Sequence, residues 1–220
     1  MDYAIPNVVI ATGAKWRSNG QGRVHRLPLS FLDQSRVFTP DDLMSKGVDM
    51  IPSDGPVVIY DDDRFYMASA LAELVASAGH KVVFVTPSPI VAPWSENTLE
   101  QGRIQTRLIE LGVEIIPTKQ LAGMSAGRLS LGCVYSAQEQ DIDCGSLISV
   151  TSRAPENALW SELTALKSDW ADAGITSVAR IGDCLAPSII AAAVQSGHAY
   201  AQAAGFEMIS DPKREDYGRV

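Results

Sequence analysis

The sequence predicts an α/β fold, and three observations carry that prediction. Residues 56–60 and 81–86 are short runs of β-branched and aromatic side chains with little polar alternation, as strands buried on both faces of a parallel sheet are. Between them, residues 68–79 form a small, apolar helical stretch that ends at Gly79, so the three segments read as one βαβ unit. Two further apolar strands, residues 7–13 and 177–182, end in small-residue turns towards opposite ends of the chain, with an α/β unit inserted between them.

The remaining elements follow in order. Residues 14–55 are rich in Gly, Pro, Arg and Asp and read as mostly irregular, with one short helix at 40–46 opened by Thr39 as its N-cap. After the βαβ unit, residues 96–111 predict a helix capped by Asn97 or Ser95, with Leu99, Ile104, Leu108 and Ile109 as its apolar face and Gly112 ending it. Residues 113–116 continue as a strand. Residues 127–135 and 146–152 read as short alternating strands between polar turns, which predicts an added antiparallel patch. Residues 159–167 form an amphipathic helix, and a second helix runs from Pro187 to about Ala204 with the proline in its first turn. The charged stretch 210–220 reads as a loosely held tail.

Composition narrows the function classes. The 220 residues are 46% hydrophobic, enough for a proper core. With 18 basic and 26 acidic residues the formal charge is −8, and no basic run is present, so neither nucleic acid nor an anionic membrane finds a complementary surface. No stretch approaches the roughly 20 apolar residues of a membrane span, and the first residues lack the basic start of a secretion signal, which predicts a cytoplasmic protein. Cys133, Cys144 and Cys184 show no C-x-x-C spacing and read as packing residues. His25, His80 and His198 lie far apart and read as structural, so neither a catalytic residue nor a metal ligand is assigned. Trp16, Trp94, Trp160 and Trp170 are expected in core or interface packing.

The turn after the strand at 56–60 decides the chemistry of the inserted unit. A dinucleotide-binding turn needs glycines, so that backbone N–H groups can approach a pyrophosphate at a helix N-terminus. This turn is Asp61-Asp62-Asp63-Arg64, whose three carboxylates repel an anion. The strand after the helix ends in Val85-Thr86-Pro87, without the acid that would take a ribose hydroxyl. We therefore expect a dinucleotide scaffold that has lost its ligand chemistry, with the three acids as a solvated turn and one of them capping the helix near Tyr66. Three adjacent carboxylates on an extended turn point in alternating directions and do not converge on a metal.

Ala11-Thr12-Gly13 and Ile181-Gly182-Asp183, with the inserted unit between them and a helix behind, resemble flavoprotein reductases of the glutathione reductase type, in which an NAD domain interrupts an FAD domain. Val8 to Arg17, Val37 to Met44, Thr98 to Val113, and Ile181 to Pro187 with Gly197-His198 extend the likeness over nearly the whole chain. They narrow it to the C-terminal part of the trimethylamine, dimethylamine and histamine dehydrogenases, which belong with the dienoyl-CoA reductase-like flavoproteins.

The resemblance implies an NAD(P)-binding-like domain, a parallel sheet plus an antiparallel β layer, at 54–150. It would be inserted in an incomplete FAD-binding-like domain formed by 1–53 and 151–209. It further implies an adenine nucleotide, ADP or the adenylate half of FAD, at Ala11, Thr12, Gly13, Gly182, Asp183, Ala186 and Pro187. In the family the aspartate holds a ribityl or ribose hydroxyl, a role that falls to Asp183, while Gly182 allows close approach. A helix opening at Ala186-Pro187 would point backbone donors at the crevice. The competing reading of Asp183 is the N-cap of that helix. The family keeps its FMN and 4Fe-4S cluster in an upstream barrel, so the chain is expected to be a fragment, or one subunit of a split amine dehydrogenase, inactive by itself. Its partners would be the missing barrel and, for the parent enzyme, an electron-transfer flavoprotein. Two alternatives stand beside this: a docking module with a vestigial nucleotide site, and part of an NAD(P)H-dependent dienoyl-CoA reductase-like enzyme, which residues 61–68 disfavour.

Overall fold

The structure, a computed structural model, describes residues 6–203; the tail expected at 210–220 and the helix end at Ala204 lie outside them. In chain order the elements are β1 (Asn7–Ile10), β2 (Ala14–Trp16), β3 (Val37–Phe38), α1 (Pro40–Lys46), β4 (Val57–Asp61), α2 (Met67–Ser77), β5 (Val82–Val85) and α3 (Gln101–Glu110). There follow β6 (Glu114–Ile116), β7 (Lys119–Ser125), β8 (Arg128–Cys133), β9 (Glu139–Asp143), β10 (Ser146–Val150), β11 (Arg153–Pro155), α4 (Ala158–Ala165), β12 (Ser177–Arg180) and α5 (Ile190–Ala203). The described residues divide into two compact units, 6–15 with 153–203, and 16–152. The resemblance implies that 1–53 goes with the outer portions. Residues 16–53 instead belong to the central unit, because β3 joins its sheet and Leu43 of α1 is buried in its core.

The central unit is a three-layer α/β structure. Its parallel sheet has the order β3-β10-β4-β5-β6. Alternate residues of a strand face opposite ways, so Val57, Ile59 and Phe84 meet Leu71, Val75 and Leu108 of α2 and α3. Val58, Tyr60, Val83 and Val85 meet Leu121, Leu129 and Leu131 of the antiparallel sheet β7-β8-β9.

Three local expectations need correction. Ser146–Val150 does not join the antiparallel patch: β10 lies between β3 and β4, parallel to both, and is buried at every position. Ser146 and Ser149 break the apolar run that would mark a strand covered on both faces, yet both are small and fully buried. The antiparallel sheet uses β7 and β9 instead, and β9 carries Glu139, Asp141 and Asp143, as a solvated edge strand does. Finally, α3 starts at Gln101, and Ser95 falls in a 3-10 turn at Pro93–Glu96 with Asn97 just after it, so neither caps α3. Leu99 is 93% exposed and only Ile104 and Leu108 of the expected face reach the core.

Other elements follow the sequence. Thr39 caps α1 in a capping box: its Oγ1 accepts the Asp42 N–H at 3.3 Å while Asp42 Oδ2 accepts the Thr39 N–H at 3.0 Å. In the outer unit β1 runs parallel to β12, with Asn7 opposite Ser177 and Ile10 opposite Arg180. Arg180 of β12 lays its guanidinium 4.7 Å from the ring centre of Trp160 in α4. Cys133, Cys144 and Cys184 are free thiols. Among the described residues no helix is long and apolar enough to cross a membrane.

Candidate functional site

Because β1 and β12 are parallel and in register, their carboxyl ends lie side by side, where open α/β sheets form ligand crevices. The turns 11–13 and 181–183 therefore adjoin: the Ile181 N–H and the Cys184 thiol both donate to Ile10 O, each at 3.0 Å. Gly13 takes φ +80°, and a Cβ there would meet nothing within 4 Å. Gly182 takes φ +63° with only the Ala193 Cβ near, at 3.8 Å. A side chain would thus find open space at Gly13 and ordinary van der Waals contact at Gly182, and Ala11 and Thr12 are exposed.

One short segment, 153–156, holds both turns. Thr12 Oγ1 donates to the Glu156 carbonyl, the Glu156 N–H donates to Gly13 O at 2.9 Å, and Lys15 pairs with the Glu156 carboxylate. From the same strand Arg153 donates through Nη1 to Asp183 Oδ2 at 2.5 Å and through Nη2 to Ser188 O at 2.5 Å. Asp183 Oδ1 in turn accepts the Ser188 N–H at 3.1 Å. Sequence reasoning points to neither Arg153 nor Glu156. An Arg-Ala-Pro-Glu stretch has no periodicity, and its partners lie far away along the chain.

The expected helix opening is not at Ala186-Pro187. α5 begins at Ile190, and the Ala186 N–H is bonded to Gly182 O at 3.0 Å, so the backbone there closes a turn rather than offering donors. Ser196 of α5 reaches back instead, its Oγ accepting the Gly182 N–H at 2.9 Å. Ala11, Thr12, Gly13, Gly182 and Asp183 follow the carboxyl ends of β1 and β12, and Ala186 and Pro187 lie in the chain between that turn and α5. No helix opens at Ala186 and Pro187 to point donors at the crevice.

Two of the three acids in the turn of the central unit are not solvated. Asp61 and Asp62 are both 0% exposed, and the N-cap position of α2 is Tyr66, with no capping side chain. Asp61 Oδ1 accepts the Arg64 N–H at 2.8 Å, and burial pushes its carboxyl up to about 7. Asp62 is also raised by burial, opposed by the Val24 N–H that its Oδ2 accepts at 2.7 Å and by Arg64 and His25 nearby. Val24 belongs to a loop, 17–25, tied to the same sheet end. The Arg17 N–H donates to Ser152 O at 3.0 Å, Ser152 Oγ to Gln21 O at 2.5 Å and Arg23 Nε to Asp63 O at 3.2 Å. Gly22 sits so close that a Cβ would lie 2.5 Å from Asp62 Oδ2. Where a dinucleotide turn offers N–H groups to a phosphate, this turn offers a carboxylate to N–H groups of its own chain. Among the described residues no group of three His, Cys, Asp or Glu is placed to hold a metal.

Known proteins resemble this chain over most of its length. The family model of the OYE-like second alpha/beta domain matches residues 38–163. Dimethylamine dehydrogenase of Hyphomicrobium sp. (strain x) is 32% identical over 222 residues, which span 92% of this chain and 30% of that relative. The structure of histamine dehydrogenase from Rhizobium sp. 4-9 matches with a TM-score of 0.87 and 42% identity, over 93% of this chain and 31% of the other. That of 6-hydroxypseudooxynicotine amine oxidase from Pseudomonas geniculata N1 matches with a TM-score of 0.83 and 34% identity, over 91% and 29%. A 2-naphthoyl-CoA reductase, at 17% identity and a TM-score of 0.65, shares the fold. The chain thus spans about 30% of the length of the curated relative it matches. It belongs to the family of OYE-like second alpha/beta domains and is homologous to a portion of the dimethylamine and histamine dehydrogenases.

Proposed function

We propose that this chain is the C-terminal, nucleotide-holding part of an amine dehydrogenase-type flavoprotein oxidoreductase. In this reading the outer unit is the remnant of a glutathione reductase-type FAD-binding domain, and the central unit is its inserted NAD-binding-like domain without a functional dinucleotide site. ADP, or the adenylate half of FAD, lies at the turns 11–13 and 182–187, with Asp183 accepting a sugar hydroxyl. The observation that carries the reading is the joint bracing of both turns by Arg153 and Glu156 around two glycines of positive φ that no neighbour crowds. The residues fit the sugar of such a nucleotide, since the Asp183 side chain has acceptor positions beyond its bonds to Arg153 and Ser188.

The chain supplies no catalytic group in this proposal. FMN and a 4Fe-4S cluster would reside in the portion of the parent enzyme corresponding to the remaining length of the relatives, and electrons would leave to an electron-transfer flavoprotein in the cytoplasm. A second reading, a docking module with a vestigial nucleotide site, is favoured by one observation. The Ala186 N–H is satisfied by Gly182 O, so the crevice lacks the donors a helix N-terminus would bring. Titration calorimetry with ADP, FAD and NADH separates the possibilities. We expect ADP and FAD to bind and NADH not to. Absence of both, also when the upstream portion is co-expressed, leaves the docking role, and NADH binding would revive a pyridine-nucleotide reductase.

A further inference from the structure

We infer that Arg153 is the positioning residue that makes the outer-unit crevice selective for a ribose carrying its hydroxyls, by holding Asp183 in one orientation. The inference rests on the nucleotide reading above and extends it to a residue outside the two expected turns.

Three bonds close a ring. One guanidinium nitrogen of Arg153 donates to Asp183 Oδ2 and the other to Ser188 O, while the Ser188 N–H returns to Asp183 Oδ1. A carboxylate torsion is otherwise broad and nearly two-fold. With both oxygens claimed from different directions, the plane of the Asp183 carboxylate is set, and so are the lone pairs left for a ligand. A carboxylate has about four acceptor positions, and these contacts use two of them.

The pair is shielded but not sealed, with side-chain exposures of 26% for Arg153 and 20% for Asp183. A ligand hydroxyl therefore has access, and the guanidinium supplies the acid with a charged donor. Arg153 is itself anchored across the crevice. Its strand continues into Glu156, which grips Thr12 and Gly13, so the orientation of Asp183 is referred to the facing turn rather than to its own loop alone. The guanidinium fork is required because two acceptors in different directions are served at once, which a lysine ammonium does not reproduce in one plane.

The test titrates the full chain with ADP and with its dideoxy analogue, which lacks both ribose hydroxyls. A charge-assisted hydrogen bond predicts that the unmodified chain binds ADP about 10-fold or more tightly than the analogue. Arg153→Gln is expected to bind both ligands alike, at the affinity of the analogue, and Arg153→Lys to fall between, with thermal melts checking that each variant folds. Asp183→Asn should lose the same discrimination. Full discrimination in Arg153→Gln, or in Arg153→Lys should the glutamine variant not fold, would overturn the inference and leave the nucleotide reading standing. Equal binding of both ligands by the unmodified chain would do the same. No binding of either ligand would remove the nucleotide reading, and the role of Arg153 with it.

Discussion

The substitution Asp61→Asn should change how stability depends on pH, with a sign opposite to that of a surface carboxylate. Asp61 is 0% exposed, and burial lifts its carboxyl from an ordinary 3.8 to about 7. The folded chain therefore retains a proton that the unfolded chain gives up between those values. The resulting stabilisation is fully present below the ordinary value and is lost as pH rises through the folded one. A shift of about three units at 1.36 kcal/mol each makes an upper bound of about 4 kcal/mol, a sizeable part of a typical total stability of about 5–15 kcal/mol. Asp62, raised in the same direction, adds to the trend, and His25, lowered by burial, opposes it by losing stability as pH falls through 6.5.

Comparing two proteins isolates the one group. The carboxamide in Asp61→Asn keeps an oxygen to accept the Arg64 N–H, and its nitrogen takes the place of Oδ2, which has no hydrogen-bond partner among the described residues. An unpaired buried amide costs about 1–3 kcal/mol at every pH, so it offsets the curve without tilting it. Urea unfolding of both proteins in steps from pH 4 to 8 reads the difference directly. We expect the variant to gain on the parent by up to about 4 kcal/mol as pH rises across that window. A difference that stays flat, or that moves in favour of the parent towards high pH, would refute the buried, proton-holding Asp61.

Gly22→Ala places a Cβ 2.5 Å from Asp62 Oδ2, so it should lift the 17–25 loop, destabilise by about 1–3 kcal/mol and speed hydrogen exchange at Val24. Thr39→Ala removes the capping hydroxyl of α1 and should lower stability by about 0.5–2 kcal/mol in denaturant unfolding, with Thr39→Ser recovering most of it. Leu108→Ala, 1% exposed under α3, should lose about 2–5 kcal/mol. Leu99→Ala, 93% exposed and only two residues before that helix, should stay within about 0.5 kcal/mol in the same assay.

What is legible in the sequence follows from how far each determinant reaches along the chain. The βαβ unit of β4, α2 and β5 can be read because its strands are unbroken apolar runs and Gly79 marks the end of the helical stretch. The Thr39 cap is legible for the same reason, its partner Asp42 being three residues away. β10 is misplaced because Ser146 and Ser149 break its apolar run, and only the sheet order shows that both faces are covered. The burial of Asp61 and Asp62 depends on N–H groups of Arg64 and Val24, and the second comes from a loop that sequence shows only as irregular. The site residues of the outer unit come from resemblance, and their braces Arg153 and Glu156 do not, because a bond such as that between Thr12 and Glu156 spans most of the chain.

The two crevices also explain why glycine content alone is a poor guide to ligand chemistry. Each unit places glycine at the carboxyl ends of parallel strands, yet the glycines act in opposite ways. At Gly13 and Gly182 the backbone is left-handed and no neighbour crowds the missing side chain, so a ligand can approach. At Gly22 the missing side chain admits the protein's own Asp62, and the loop fills the position a cofactor would need. Reopening the central crevice for an anion would require removal of the loop and also of a buried carboxylate whose charge is offset by that loop's N–H groups. A single glycine introduced into residues 61–63 would therefore not restore dinucleotide binding, and it would leave Val24 without its acceptor if placed at position 62.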